Sequence, residues 1–272
     1  MPTQEGLGAH VSRAATKAGP GLPTPGGRGT RRLMGAPLLV FDLDGTLVDS
    51  APDLLGTLQA VLPKHGLAVK IDATHRQGIG HGARHLIEHA LLRQGIAVEK
   101  PVLDAMYRDF LDHYEANITV ETRPFAGTDR LLERFAEAGW SVAVCTNKPE
   151  KMSRLLLRNL GLADRFAAIS GGDSFAKRKP HPEHLLGTIA AAKGVPDRSI
   201  MVGDSQTDLD TARGAGVPFV GVSFGYTPIP MTELRPDLMV DSFDELTPER
   251  ATALLERSLA ALRAAAVPAA TA

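Results

Sequence analysis

The feature that most restricts the fold of this chain is a series of short, uninterrupted apolar segments. They are LLVF (38–41), WSVAVC (140–145), IMVG (200–203), FVGV (219–222) and LMV (238–240). Helical patterns follow them, at about 128–138, 150–160, 182–193 and 207–215. Uninterrupted apolar strands that alternate with helices are typical of a parallel sheet covered on both faces. The sequence therefore predicts a doubly wound, Rossmann-like α/β core.

Residues 52–122 interrupt this alternation directly after the first strand. Apolar residues recur at helical spacing in DLLGTLQAVL, ARHLIEHALL and VLDAMYRDFLDHY, and the segment has no strand-like run. Pro52 and Pro124 would stiffen the two connections. We therefore expect an α/β catalytic core formed by residues 37–51 and 123–272, with a helical cap domain formed by residues 52–122.

Composition narrows the choice of partners and location. Residues 1–36 are rich in Gly and Pro and are predicted to be a disordered tail. The chain holds 30 Lys and Arg against 31 Asp and Glu, so charge favours neither nucleic acid nor an anionic membrane as a partner. No apolar run approaches the roughly 20 residues of a membrane span. The single cysteine, Cys145, favours a cytoplasmic location. A monomer and a homodimer both remain open.

The segment VFDLDGTLVDS (40–50) carries the strongest chemical signal. Residues i and i+2 at the end of a strand point the same way, so Asp42 and Asp44 should project together, with Gly45 allowing a sharp turn. Two adjacent carboxylates repel each other unless a cation lies between them or one carries a proton. A divalent metal, a carboxylate nucleophile and a neighbouring carboxylic acid would meet both requirements. Asp42 could then attack phosphorus while Asp44 protonates the leaving oxygen.

Three further segments carry polar residues, two of them at the ends of predicted strands and one in a loop. CTNKP (145–149) offers the Thr146 hydroxyl and Asn147 at a helix start, where an anion can bind. KRKPHP (177–182) presents Lys179 from a loop, where its ammonium can neutralise phosphate charge. GDSQTD (203–208) supplies Asp204 and Asp208, which are ligand types suited to a hard cation. Ligands of such sheets bind beyond the carboxyl ends of the strands, so we expect these groups to meet there.

The four segments, in this order, resemble the haloacid dehalogenase superfamily over residues 38–245. The resemblance implies a Mg²⁺-dependent phosphatase, because the dehalogenases of the superfamily lack the second Asp. It also implies the role of each matched residue. Asp42 would be the nucleophile and Asp44 the general acid and base. Thr146 and Lys179 would bind the phosphoryl group. Asp204 would bind Mg²⁺ together with Asp42 and the backbone carbonyl of Asp44, and Asp208 would support these residues without binding the ion itself.

A narrower resemblance concerns the substrate. DLDGTLVDSAPDL, the TRPF linker, GGD (171–173) and RKPHP are most similar to the phosphoglycolate phosphatases, which implies 2-phosphoglycolate, a small phosphorylated metabolite. Phosphatases of amino-sugar phosphates or pyrophosphate share much of this pattern. A sugar phosphomutase and a catalytically silent binding module are further alternatives. In the cap, His81 lies within a Gly-rich loop and Arg84 follows that loop. These two residues are the candidate anion contacts, with Arg84 the first choice for a substrate carboxylate.

Overall fold

A computed structural model describes residues 35–266, so the predicted tail lies almost entirely outside the described residues, as do residues 267–272. Within the described range, the strands are β1 Leu38–Phe41, β2 Val48–Asp49, β3 Arg123–Pro124, β4 Ser141–Cys145, β5 Ala168–Ser170, β6 Ser199–Gly203, β7 Phe219–Val222 and β8 Leu238–Val240. The helices are α1 Ala51–Val61, α2 Ala83–Leu92, α3 Lys100–Ala116, α4 Thr128–Glu137, α5 Glu150–Asn159, α6 Pro182–Ala191, α7 Gln206–Gly214, α8 Met231–Leu234 and α9 Pro248–Ala266. None of these helices has both the length and the hydrophobicity that crossing a membrane requires.

Six of the described strands form one parallel sheet in the order β5-β4-β1-β6-β7-β8. The first strand therefore lies near the middle, and the strand order reverses around it. All four residues of β1 are fully buried, because its alternate side chains enter apolar clusters on opposite faces of the sheet. Leu38 and Val40 join the cluster that contains α6 and α7, whereas Leu39 and Phe41 join the larger cluster on the other face. The predicted doubly wound α/β fold with an inserted helical cap is confirmed.

All regular secondary structure in the inserted segment is helical. It consists of α1, α2 and α3, with short 3₁₀ helices at Leu62–His65 and Ala73–His81. The last of these includes the Gly-rich stretch for which the sequence predicts a flexible loop. Apolar side chains from α1, α2 and α3, among them Leu58, Leu86 and Phe110, form the buried interior of the cap.

The two connections of the cap lie side by side. β2 and β3 pair in antiparallel fashion, with Val48 opposite Pro124 and Asp49 opposite Arg123. Near this pair, the buried carboxylate of Asp53 accepts hydrogen bonds from the backbone N–H groups of residues 121 and 122, both at 2.9 Å, and from the Thr122 hydroxyl at 2.7 Å. The beginning and the end of the insertion are therefore tied to each other.

Tyr226, in the loop after β7, fixes the same connections to the core. Its hydroxyl donates to Asp49 Oδ1 at 2.5 Å and accepts from the backbone N–H of Ala51, the first residue of α1, at 3.0 Å. The rings of Phe224 and Tyr226 pack on Phe125 of the second connection, with ring centroids 4.9 and 6.5 Å away. One loop of the core thus contacts both ends of the cap.

Candidate active site

Polar residues that follow three adjacent strands meet at one edge of the sheet. Asp42 follows β1, Thr146 follows β4 and Asp204 follows β6, and these strands are neighbours in the sheet. All three residues are buried. Lys179 enters from the loop before α6, and Asp208 lies in the first turn of α7. The structure therefore brings together the residues that the sequence predicts at this edge.

Lys179 forms the centre of this group. Its ammonium lies 2.8 Å from Asp42 Oδ1 and 2.7 Å from Asp208 Oδ1, and its side chain has no exposed area. Burial alone would lower the pKa of Lys179, but the negative charges of Asp208 and Asp42 outweigh that effect and raise the pKa above its usual value. Lys179 therefore stays positively charged between the two carboxylates.

The position of Lys179 depends on two residues that contact its backbone. Its N–H donates to Nδ1 of His184 at 3.1 Å, and its carbonyl oxygen accepts from Nδ2 of Asn147 at 3.2 Å. Burial lowers the pKa of His184 to about 4, so this ring is neutral and able to accept at neutral pH. The sequence analysis did not identify His184, although it lies in α6 only two residues after RKPHP.

Three carboxylates at this edge could hold a metal ion. Oxygen atoms of Asp42, Asp204 and Asp208 all lie within 4.8 Å of one another, and the three residues are buried. Burial raises the pKa of Asp42 from 3.8 to about 7, with Asp208 adding to the rise and Lys179 opposing it. Burial and the neighbouring charges of Asp208 and Asp42 raise the pKa of Asp204 to about 8. Three buried carboxylates with one ammonium lack positive charge, and a hard divalent cation fits such an oxygen donor set.

Asp204 lies against backbone on two sides. It accepts hydrogen bonds from the Thr46 hydroxyl at 3.0 Å and from the backbone N–H of Tyr226 at 2.7 Å. A Cβ on Gly225 would lie 2.2 Å from Asp204 Cβ, and a Cβ on Gly45, whose φ is +85°, would lie 2.6 Å from Asp204 Oδ2. Both positions therefore require glycine, Gly45 for its backbone conformation as well as for its proximity.

Asp44 has different partners from the other carboxylates. Its two oxygens accept from the ammonium of Lys148 at 2.9 and 3.0 Å, and Oδ1 also accepts from the Ser50 hydroxyl at 2.5 Å. Burial alone would lower the pKa of Lys148, but Asp44 and the nearby Tyr114 outweigh this and raise it above its usual value. The sequence analysis missed Lys148, whose signal was its place directly after Thr146 and Asn147.

Asp208 also holds α7 in place. Ser205 is the N-cap of this helix, and its hydroxyl accepts from the Asp208 N–H while Asp208 Oδ2 accepts from the Ser205 N–H at 3.1 Å. This reciprocal arrangement is a capping box, and it leaves Asp208 Oδ1 free to bind Lys179. The capping box of α7 thus fixes the position of Asp208, the carboxylate that binds the Lys179 ammonium.

The GGD segment supports the turn that carries Thr146, Asn147 and Lys148. Cβ atoms on Gly171 and Gly172 would lie 2.1 Å from the backbone N of Glu150 and 2.6 Å from the backbone O of Asn147. Oδ1 of Asp173 accepts from the Glu150 N–H at 2.7 Å, at the start of α5. The two glycines therefore let one backbone segment lie directly against the other, and Asp173 caps α5 from outside the helix.

The cap contacts the core next to this site. His81 Nε2 lies 3.3 Å from the Thr207 hydroxyl, and Nδ2 of Asn147 donates to the carbonyl oxygen of Gly80 at 3.3 Å. Burial, followed by the charge of His85, lowers the pKa of His81. The Gly-rich stretch thus brings His81 to the edge of the sheet where Asp204 and Asp208 lie.

Arg84 makes its contacts within the cap. Its guanidinium binds Asp104 at 2.8 Å and lies 4.7 Å from the centre of the Tyr107 ring, and both of these residues belong to α3. Arg84 is the second residue of α2, and from there its side chain joins two helices of the cap. Other groups of the cap thus occupy the guanidinium of Arg84, and its choice for a substrate carboxylate stays a prediction.

The parallel sheet, the inserted cap and the buried carboxylates at the strand ends define the class of this protein. A sequence profile of haloacid dehalogenase-like hydrolases matches residues 39–222, which include most of the core and the whole cap. The chain belongs to this family of hydrolases.

Individual relatives narrow the class further. The phosphoglycolate phosphatases of Mesorhizobium japonicum and Agrobacterium fabrum are both 46% identical to this chain. The aligned residues cover 82% and 83% of this chain and 98% and 97% of those proteins. A crystal structure of a predicted phosphoglycolate phosphatase from Haemophilus somnus superposes with a TM-score of 0.70 at 30% identity, over 76% of this chain and 95% of that one. The chain is thus a phosphatase of the haloacid dehalogenase superfamily, similar to phosphoglycolate phosphatases, as its motifs predict.

Proposed function

We propose that this protein is a Mg²⁺-dependent phosphatase that hydrolyses 2-phosphoglycolate to glycolate and phosphate through an aspartyl-phosphate on Asp42. One observation carries the proposal: Asp42 lies beside the buried Lys179 ammonium, within a carboxylate cluster that the cap covers. The names of the relatives at 46% identity support the choice of substrate.

Asp42, Asp204 and the backbone carbonyl of Asp44 would hold the ion. The raised pKa values of Asp42 and Asp204 support this assignment, because a cation between these carboxylates would favour their charged forms. Bound there, Mg²⁺ supplies positive charge to the phosphoryl oxygens. Asp208 would keep Lys179 in place through their 2.7 Å contact.

The first half of the reaction transfers the phosphoryl group to the enzyme. A carboxylate oxygen of Asp42 forms a bond to phosphorus, and the bond from phosphorus to the ester oxygen breaks. Asp44 gives a proton to that oxygen, so glycolate leaves with a hydroxyl group. Lys179, Thr146 and Asn147 would bind the phosphoryl oxygens, and the ammonium offsets their charge.

The second half returns the enzyme to its starting form. Asp44, now without its proton, accepts one from a water molecule that attacks phosphorus. The bond between phosphorus and Asp42 breaks, which releases inorganic phosphate and restores the carboxylate. The cap would exclude bulk water during both halves, and the contacts of His81 with Thr207 and of Asn147 with Gly80 are where it meets the core.

A phosphate-release assay with matched variants tests the proposal. We expect the wild-type protein to release phosphate from 2-phosphoglycolate in the presence of Mg²⁺ and to stop when EDTA is added. Asp42→Asn removes the nucleophile but little volume, so kcat should fall by at least about a thousandfold while the melting temperature stays close to that of the wild type. Asp197→Asn, at an exposed position, is the control for a change of the same chemistry.

Two results would contradict the proposal at different points. Phosphate release by Asp42→Asn at the wild-type rate would exclude the covalent mechanism. A wild-type preference for amino-sugar phosphates or pyrophosphate over 2-phosphoglycolate would exclude the substrate and leave the mechanism standing.

A further inference from the structure

A small cavity lies between the cap and the core, beside Asp44. Its walls are mostly apolar side chains from the cap and from the start of α5: Leu54, Ile79, Leu86, Phe110, Leu111, Pro149 and Met152. Its polar side chains are those of Asp44, Lys148 and Tyr114. The cavity measures only about 20 Å³, close to the space of one water molecule, so a leaving group bound beside Asp44 would require the cap to move outward there.

Lys148 brings a positive charge to this cavity. Its side chain is only 4% exposed, and it directs two hydrogen bonds to the oxygens of Asp44. A lysine ammonium has three N–H donors. Among residues 35–266, the hydrogen bonds of Lys148 Nζ at normal distance go to Asp44, and the neighbouring Tyr114 also raises the pKa of Lys148. The ammonium can therefore keep Asp44 in place and bind one more acceptor.

Tyr114, the neighbour of Lys148 in the cavity wall, gives a second indication of a ligand. It is 2% exposed, and its ring lies under the Lys148 ammonium at 4.5 Å from the ring centre. Its buried hydroxyl has no hydrogen-bond partner among the described residues. An unpartnered buried hydroxyl costs stability, so such a group in a cavity wall points to an acceptor that arrives with the ligand.

We infer that Lys148 and Tyr114 bind the carboxylate of the substrate and so select 2-phosphoglycolate. This inference rests on the proposed function. In 2-phosphoglycolate a single methylene group separates the ester oxygen from the carboxylate. With the ester oxygen at Asp44, the carboxylate therefore lies beside the ammonium that contacts Asp44 at 2.9 Å. The apolar walls offer no partners for the many hydroxyl groups of a sugar, so they favour this small acid over amino-sugar phosphates.

The test compares two substrates that differ in the carboxylate. In 2-hydroxyethyl phosphate a CH₂OH group replaces the carboxylate of 2-phosphoglycolate, and the rest of the molecule is the same. The measured quantity is the ratio of kcat/KM for 2-phosphoglycolate to kcat/KM for 2-hydroxyethyl phosphate. Lys148→Met should lower this ratio roughly 10- to 150-fold, the range for a hydrogen bond between charged groups. A loss that acts through Asp44 affects both substrates and cancels in the ratio.

Two other variants complete the design. Tyr114→Phe removes only the hydroxyl and should lower the ratio by roughly tenfold, which keeps the inference testable if Lys148→Met does not fold. Lys151→Met removes a lysine of the same helix region whose side chain is 72% exposed and pairs with Glu115 on the surface. The ratio for this control should equal that of the wild type.

The outcomes separate the inference from the proposed function. A wild-type preference for 2-phosphoglycolate that persists in Lys148→Met and Tyr114→Phe would overturn the inference alone. Equal losses on both substrates would overturn it as well, because Lys148 would then act only through Asp44. A wild-type enzyme with no preference for 2-phosphoglycolate would refute the choice of substrate and, with it, the selection by Lys148.

Discussion

Gly171→Ala adds a single methyl group where one backbone segment lies directly on another. The new Cβ would lie 2.1 Å from the backbone N of Glu150, 2.5 Å from its Cα and 2.6 Å from the backbone O of Lys148. Ordinary contact between such atoms needs roughly 3.5 Å, so one segment must move by more than about 1 Å. No rotation of a side chain can relieve this contact, because all three neighbours are backbone atoms.

The magnitude follows from that displacement. Overpacking of a core by side chains usually costs about 1–3 kcal/mol, and a contact with fixed backbone should lie at or above the upper end, at about 3 kcal/mol or more. The displaced segment also carries Thr146 and Lys148. A shift of about 1 Å in a positioning segment can cost on the order of a hundredfold in rate, so kcat/KM should fall by a similar factor.

Gly56→Ala is the matched control, because it is the same chemical change with the opposite expected sign. A Cβ on Gly56 meets nothing within 4 Å, and the residue lies exposed inside α1. Alanine in a helix interior should raise the free energy of unfolding by about 0.5–1 kcal/mol. Urea denaturation followed by circular dichroism measures both variants, and phosphate release reports turnover. Gly171→Ala with wild-type stability and turnover would refute the packing argument.

Two further predictions concern buried carboxylates. Asp53→Ala removes the acceptor for the N–H groups of residues 121 and 122, so the free energy of unfolding, measured by urea denaturation, should fall by about 3 kcal/mol. Asp112→Ala, at an exposed position, is the control, and an equal loss of stability in the two variants would contradict this prediction. The second prediction is a pH dependence: because the pKa of Asp204 is raised from 3.8 to about 8, its contribution to stability is fully present below pH 3.8 and is lost as the pH rises through about 8. In EDTA, the melting temperature of the wild type should therefore fall relative to that of Asp204→Asn over this interval, and parallel curves for the two proteins would exclude the effect.

The core was predictable because its signals are local. A run such as LLVF at the centre of a doubly covered sheet is apolar throughout, and the structure places β1 at Leu38–Phe41. The polar residues that follow such strands are fixed by the strand ends, so Asp42, Thr146 and Asp204 could be placed at one edge from the sequence. β5 was missed because only one of its three residues, Ile169, is strongly apolar, whereas the equally short β8 has the sequence LMV.

The cap side of the site was harder to predict, because side-chain partners there come from distant parts of the chain. Arg84 was chosen from its place after a Gly-rich stretch, but that reasoning could not show that Asp104, twenty residues later, accepts its guanidinium. Lys148 was missed because its partner is also distant in the sequence. Its partner Asp44 is separated from it by 104 residues, and only the packed structure shows that they meet.

The pairing of β2 with β3 has a consequence for how this chain can change. Because Val48 lies opposite Pro124 and Asp49 opposite Arg123, the chain leaves the core and returns to it at neighbouring points. A tight turn could join these two strands as a simple hairpin, and the order of the six-stranded sheet would not depend on what lies between them. We therefore expect that the length or sequence of the cap can vary while the carboxylates at the strand ends keep their places. Changes in the inserted segment can therefore alter the cap side of the cavity, while Lys148 on the core side stays in place.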